Sequence, residues 1–254
     1  MTTPTIVLPP LQVEAALANP LPGGLYAAAT LTTLDDPAHL DGGIAVEQRN
    51  CGEATIWTLG CDPDANPDDK GDGDLDMPDL AGFSAIGVVA TSKCSLVGRS
   101  EERAREDATQ KLRLQEQLQA ETWASTELLS ASGTPATAEG GLVGAVGQIE
   151  QALGVLGMQG VIHAPASLAA AAVNARLAVP SASGKFLSPL GHLWAFGAGY
   201  GALVNRIVGT GPVTVYRTPV AVSVGLGQRQ NERLAVAERE VAVTWECGAW
   251  GVQI

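Results

Sequence analysis

The sequence is short of positive charge. Its 254 residues carry 15 Lys and Arg against 27 Asp and Glu, a formal net charge of −12. A sequence-independent grip on DNA needs a basic face that displaces counterions, and this balance argues against one. It does not exclude a protein that lies near DNA without holding it. Cysteines at metal spacing are also missing: Cys51, Cys61, Cys94 and Cys247 make no C-x-x-C pair, which argues against a zinc knuckle. No secretory signal is expected, because MTTPTIVLPPLQVEAALANP has no basic stretch ahead of an apolar core. Reduced, free thiols are the matching expectation. The run from Phe186 to Val204 has the length and low charge of a membrane helix. Pro189, Gly191, Gly197, Gly199 and Gly201 interrupt it, so it reads as buried strand and loop, with no membrane partner.

Catalytic signatures are absent too. His39, His163 and His192 stand in no H-E-x-x-H pattern. His163, in an apolar strand before Pro165, reads as a hydrogen-bonded core histidine. There is no G-x-S-x-G elbow, and Gly184 to Phe186 lacks the leading glycine and the Ser/Thr of a P-loop. Gly144 and Gly147 lack the strand–loop–helix setting of a dinucleotide fingerprint. Nothing near Cys94 supports a nucleophile pair. No catalytic, cofactor-binding or metal-ligating residue is assigned, and no enzyme activity is expected.

What is present is a substantial core. Hydrophobic residues make up 46% and charged residues 17%, values of a globular protein with one large domain or two small ones. The chain hangs on Ser100 to about Ser130, SEERAREDATQKLRLQEQLQAETWASTELLS. Neither Pro nor Gly breaks this run, Ser100 is placed to cap it, and Glu101, Glu102 and Glu106 complement the positive end of the helix dipole. A single helix of about 30 residues spans roughly 45 Å, longer than a small domain is wide. Ala104, Ala108 and Leu112 follow i, i+4 spacing; Leu114, Leu118, Trp123 and Leu128 carry an apolar stripe onward, expected to bury against a sheet of the same chain.

Residues 1–24 are Pro-rich and read as an extended arm, ordered by lying on a neighbour or not at all. Leu25 to Thr33, Gly43 to Val46, Ala54 to Leu59 and Phe83 to Ala90 are strand candidates. Between them runs CDPDANPDDKGDGDLDMPD, a long acidic loop from Asp62 to Asp79. Asp62, Asp64 and Asn66 open like a calcium loop, but Pro67 stands where Gly is needed and Gly73 where Glu is needed. Calcium binding there stays open beside a solvated, self-repelling loop. Gly141 to Leu156 reads as a second helix, Val161 to Ala164 as a strand, and Pro165 as the first residue of a third helix. Leu193 to Phe196, Val213 to Tyr216 and Val220 to Val224 are short strands. Leu234 to Trp245 is ambiguous, with the tail VAVTW favouring strand.

The serial order of these parts resembles a known family. NPLPGGLYAAATLTTLDDP, RNCGEATIWTLGCDP, KCSLVGRSEERAREDATQKLRLQEQLQAETW, GVIHAPASLAAAAV, FLSPLGHLWAFGAGY, GTGPVTVY and LAVAEREVAVTWECGAW are similar, in order, to blocks of major capsid proteins of tailed bacteriophages of actinobacterial hosts. The resemblance implies an α+β Hong Kong 97-like capsid fold. Residues 1–24 would be the N-terminal arm. Residues 25–139 and 220–254 would be a peripheral domain, with an extended loop at about 46–90 and the spine helix at 100–130. Residues 140–219 would be the axial domain. The implied function is self-assembly into the pentamers and hexamers of an icosahedral shell around double-stranded DNA. Partners would be other copies of the chain, a portal, a separate scaffold or decoration proteins, and packaged DNA held without sequence specificity. Assembly would take place in the host cytoplasm and the product would be a virion. An encapsulin-like compartment shell is the alternative on the same fold.

Overall fold

A computed structural model describes residues 11, 13–35, 37–52, 54, 80–95, 101–227 and 232–254. Ser100, Cys61, the run 55–59 and the aspartates of 62–79 lie outside the described residues.

The expected long helix is the backbone of the architecture, as α2, Glu101–Ala131. Its buried face follows an i+4 ridge, Ala104, Ala108, Leu112, Glu116, Ala120, Ala124 and Leu128, with Glu121 and Ser125 buried beside its second half. Such a ridge runs obliquely along a helix, and alanines let a sheet come close beneath it. The expected stripe is therefore corrected. Leu128 is buried, but Leu114, Leu118 and Trp123 are only half-buried, because the i+4 ridge from Ala104 continues straight through Glu116 instead of shifting to the bulkier residues.

Beneath α2 lies a five-stranded sheet. It is built from β1 (Thr30–Thr33), β4 (Ala85–Ser95), β11 (Val213–Arg217), β12 (Ala221–Gly227) and β13 (Glu232–Trp245). β13 is central: it pairs antiparallel with β4, β12 and β11, and β1 adds to β11 in parallel. The ambiguous segment Leu234 to Trp245 is thus strand throughout, held to β4 from Ala85↔Ala242 to Ser95↔Glu232. Ala235, Ala237 and Val241 point into the core with Leu25, Val88, Val215 and Trp245.

A seven-stranded sheet forms the second half, in the order β5 (Ala136–Thr137), β14 (Ala249–Gln253), β10 (Arg206–Thr210), β6 (Val161–Pro165), β9 (Leu193–Gly197), β8 (Phe186–Leu187) and β7 (Val179–Pro180). Helix α3 (Gly141–Val155) covers it through Ala145, Val146, Ile149 and Leu153. The approach is close at Gly209, where an added Cβ would lie 2.5 Å from Ile149 Cγ2. The third helix is shorter than its sequence suggests: a 3-10 turn, Ala166–Leu168, precedes α4, Ala169–Asn174. Leu25 to Thr33 likewise divides into a helical turn, α1 (Leu25–Ala28), and β1. Sheet membership does not follow the linear order of the chain. β11 stands in the first sheet, while β14, only a few residues beyond β13, stands in the second.

Against β13, β2 (Ile44–Glu47) and β3 (Leu80–Phe83) form a separate two-stranded ladder. The expectation of free thiols fails at its foot. Cys51 and Cys247 are joined in a disulfide, with Cα atoms 5.2 Å apart. They lie 196 residues apart in sequence, so only the fold brings them within the reach of a disulfide. Cys94 is free and buried in β4.

Candidate functional site

The helix α2 carries two buried carboxylates, and they are the most distinctive chemistry among the described residues. Glu116 interrupts the apolar ridge. Its Oε1 accepts the Tyr26 hydroxyl at 2.9 Å, and Oε2 takes the Arg239 guanidinium at 3.1 Å. Arg217 approaches Oε1 at 3.4 Å and lies over the Tyr26 ring, 5.5 Å from its centroid. One helix position therefore gathers α1, β11 and β13. Burial, and then the Glu116 charge and hydrogen bond, push the Tyr26 phenol far above its ordinary range. Tyr26 thus donates to Glu116 at every working pH.

Glu121 sits little more than one turn later and is 1% exposed. Its partners are backbone groups. Leu25 N–H donates to Oε1 at 3.0 Å and Gly199 N–H to Oε2 at 3.0 Å; the Gln117 amide adds a bond of 2.9 Å to Oε1. Three glycines make room. A Cβ on Gly197 would lie 2.5 Å from Glu121 Cδ, and one on Gly199 would lie 2.6 Å from Glu121 Cβ and 2.7 Å from Thr122 N. Gly24 has φ +85°, and a Cβ there would run into the Gln117 and Glu121 side chains. The carboxylate thus ties α2 to the loop after β9 and to the start of α1.

Tyr200, near Glu121, connects to the core histidine. His163 is fully buried, with Nδ1 2.8 Å from the Tyr200 hydroxyl and Nε2 3.0 Å from Thr210 Oγ1. Thr210 Oγ1 donates onward to the Gly211 carbonyl at 3.0 Å, so it accepts from Nε2–H, and Tyr200 donates to Nδ1. Burial holds the imidazole neutral by lowering its pKa to about 3. Burial and the nearby Glu121 push the Tyr200 phenol well up. The chain of bonds is saturated and closed to solvent, which suits a structural role as read from the sequence. His192, also buried, accepts Gly160 N–H at 3.1 Å. His39 falls in the turn Pro37–Gly42.

The arm, expected to be ordered by a neighbour or not at all, is fixed over residues 14–23 to this chain's own α2, by polar bonds. Arg103 pairs with Glu14 at 2.8 Å, Gln110 donates to Ala18 O at 2.6 Å, Arg113 to Asn19 Oδ1 at 2.8 Å and Gln117 to Gly23 O at 2.6 Å. These contacts advance together, so residues 14–23 run parallel to α2. The arm's apolar side chains, Leu11, Val13, Leu17 and Leu21, are 61% to 88% exposed. A cleft of about 490 Å³ remains between arm and helix, lined by Pro22, Tyr26, Arg113, Glu116, Arg217 and Arg239. Cys94, the one cysteine raised as a nucleophile, is 5% exposed in the core. No described helix is long and apolar enough to cross a membrane.

No family model and no curated protein matches the sequence. Solved structures do. The capsid of an empty GTA particle overlays with a TM-score of 0.56 at 14% identity, covering 98% of this chain and 95% of that one. A chain of Mycobacterium phage Cain gives 0.51 at 13% identity, covering 96% and 95%. The chain has the Hong Kong 97-like capsid fold. A virus-like particle from Pyrococcus furiosus also overlays, with a TM-score of 0.55 at 7% identity and coverage of 90% and 91%.

In this Hong Kong 97-like chain, Glu116 and Glu121 were not singled out by sequence reasoning. In the linear pattern they look like the polar face of a surface helix. Two signals pointed toward them: the unbroken i+4 series in which Glu116 stands, and the glycines around Phe196 and Ala198, which read only as strand breakers.

Proposed function

We propose that this chain is the major capsid protein of a tailed bacteriophage, a subunit that assembles with copies of itself into a closed icosahedral shell around double-stranded DNA. The observation that supports it most is the overlay of nearly the whole chain, arm to C-terminal strand, on the GTA capsid chain. A likeness over 98% of this chain leaves little room for a separate catalytic module. In this reading residues 1–24 are the arm, 25–139 with 220–254 the peripheral domain, and 140–219 the axial domain. The exposed apolar edge of the arm then has a purpose. Its polar side is satisfied by α2, and Leu11, Val13, Leu17 and Leu21 remain to be covered by a neighbouring copy. The net charge of −12 suits a shell that does not grip its DNA. Portal and scaffold or decoration proteins are the remaining partners, with assembly in the host cytoplasm.

The second reading is an encapsulin-like compartment, favoured by the overlay on the Pyrococcus furiosus particle. Negative-stain imaging of the purified protein tests the shared element: closed icosahedral shells are expected, and monomers, rings or tubes refute both readings. Nuclease-protected DNA in particles from the native source selects the phage shell; packaged protein without DNA selects the compartment. The isolated chain is expected to bind DNA with no salt-dependent slope, and a clear slope contradicts the proposed lining.

A further inference from the structure

We propose that Cys51 and Cys247 form a redox latch, open as two thiols in a reducing cytosol and closed by a low-molecular-weight disulfide such as glutathione disulfide. The proposal stands on the geometry of the pair and does not depend on the chain forming a shell.

Three observations carry it. The first is placement. Cys51 lies where the chain leaves the β2–β3 ladder for residues 53–79, and Cys247 lies in the turn between β13 and β14. That turn is where the chain passes from the five-stranded to the seven-stranded sheet. One bond therefore fastens the ladder to the junction of both sheets. The second is preorganisation without the bond. Gln48 Oε1 accepts Cys247 N–H at 2.6 Å, and Asn50 Nδ2 donates to Glu246 Oε2 at 2.6 Å. These contacts do not use the sulfurs, so the two segments are tied by more than the S–S bond itself. The third is access. Both sulfurs and the Glu246 carboxylate lie within 4.8 Å of one another, and all three residues are half-buried. An oxidant can reach this pair, whereas Cys94 is enclosed in the core.

The exchange balances in two steps. The thiolate of one cysteine attacks glutathione disulfide; the glutathione S–S bond breaks, and one glutathione leaves as a thiolate. The second cysteine thiolate attacks the mixed disulfide, the protein S–S bond forms, and the second glutathione leaves. The cysteine pair loses two electrons, both glutathione sulfurs gain one each, and the two cysteine protons end on the two glutathione thiols.

The test uses the purified full chain, fully reduced and then incubated with glutathione disulfide. Peptide mapping is expected to show Cys51 joined to Cys247, with Cys61 and Cys94 still open to alkylation under denaturing conditions. A Cys61 linkage, or four free thiols, overturns the proposal. Oxidation should raise the melting temperature by roughly 10 °C. A Cys51→Ser, Cys247→Ser double variant should behave like the reduced protein in both buffers; retention of the oxidation-dependent shift overturns the latch. The mapping and melting of wild-type protein decide the matter even if the double variant does not fold.

Discussion

Glu116 and Glu121 stand on one helix and solve one problem, a carboxylate out of water, in different ways. Glu116 is matched by side chains: two guanidinium groups and a phenol from three elements. Glu121 is matched mainly by backbone N–H groups of Leu25 and Gly199, in a space that only glycine leaves open. The first arrangement is a matter of residue identity, so it can be exchanged for another set of side chains. The second is a matter of chain path, and no substitution elsewhere restores it. A buried ion cluster is often replaceable by well-packed apolar residues, whereas an orphaned buried N–H is not relieved by any side chain that cannot accept.

The largest effect is expected at the Glu121 side. Gly199→Ala sets a Cβ against Glu121 Cβ and the α2 backbone, and Glu121→Ala leaves two buried donors unpaired; each should cost about 3–5 kcal/mol in denaturant unfolding. A loss below 1 kcal/mol for both would remove Glu121 as a fixing point. Glu116→Ala should cost about 2 kcal/mol, since its arginines keep 14% to 22% of their side-chain surface in water. Adding Arg217→Met and Arg239→Met to Glu116→Met should return stability to within about 1 kcal/mol of wild type. If that triple variant stays as unstable as Glu116→Ala, the contrast between the two carboxylates is broken.

Acid sharpens the same comparison, because His163 belongs to the Glu121 side. Its folded pKa of about 3 lies below the ordinary histidine value, so between those two limits the unfolded chain binds the extra proton. Stability therefore rises with pH across this window and falls on acidification. From pH 6.5 to 4.5 the histidine alone should remove about 2 kcal/mol. His163→Gln should flatten that slope in melts recorded across the range; an unchanged slope assigns it to other groups. The smallest effect is expected at Trp123, half-buried over β4 residues Ile86 to Ala90. Trp123→Asp should lower the stability of the isolated chain by about 1 kcal/mol. If assembly is lost while the melt barely moves, the exposed side of Trp123 meets a neighbouring copy.

Much of the frame could be read in advance. The long helix needs only an uninterrupted run of helix formers, and its bounds at Glu101–Ala131 match the sequence pattern closely. β6, β9 and β11 follow from short apolar and β-branched runs between Gly and Pro. Other features were hidden for identifiable reasons. Leu234 to Trp245 carries helix-like charges in its first half, and pairing with β4 along eleven positions overrode them. The arm was legible as an extended segment, but its parallel course along α2 depends on single polar contacts that have no sequence pattern.

The sequence by itself determined that α2 would be long, where β6, β9 and β11 would lie, and that His163 would be a core residue, because these follow from local propensity and from spacing along the chain. Only the tertiary structure decided which face of α2 is buried, which cysteines meet and which carboxylates lie in the core. Glu121 finds its backbone donors 96 and 78 residues away, and Cys51 finds Cys247 across 196. Such partners are set by how the two sheets close on the helix, and spacing along the chain does not name them.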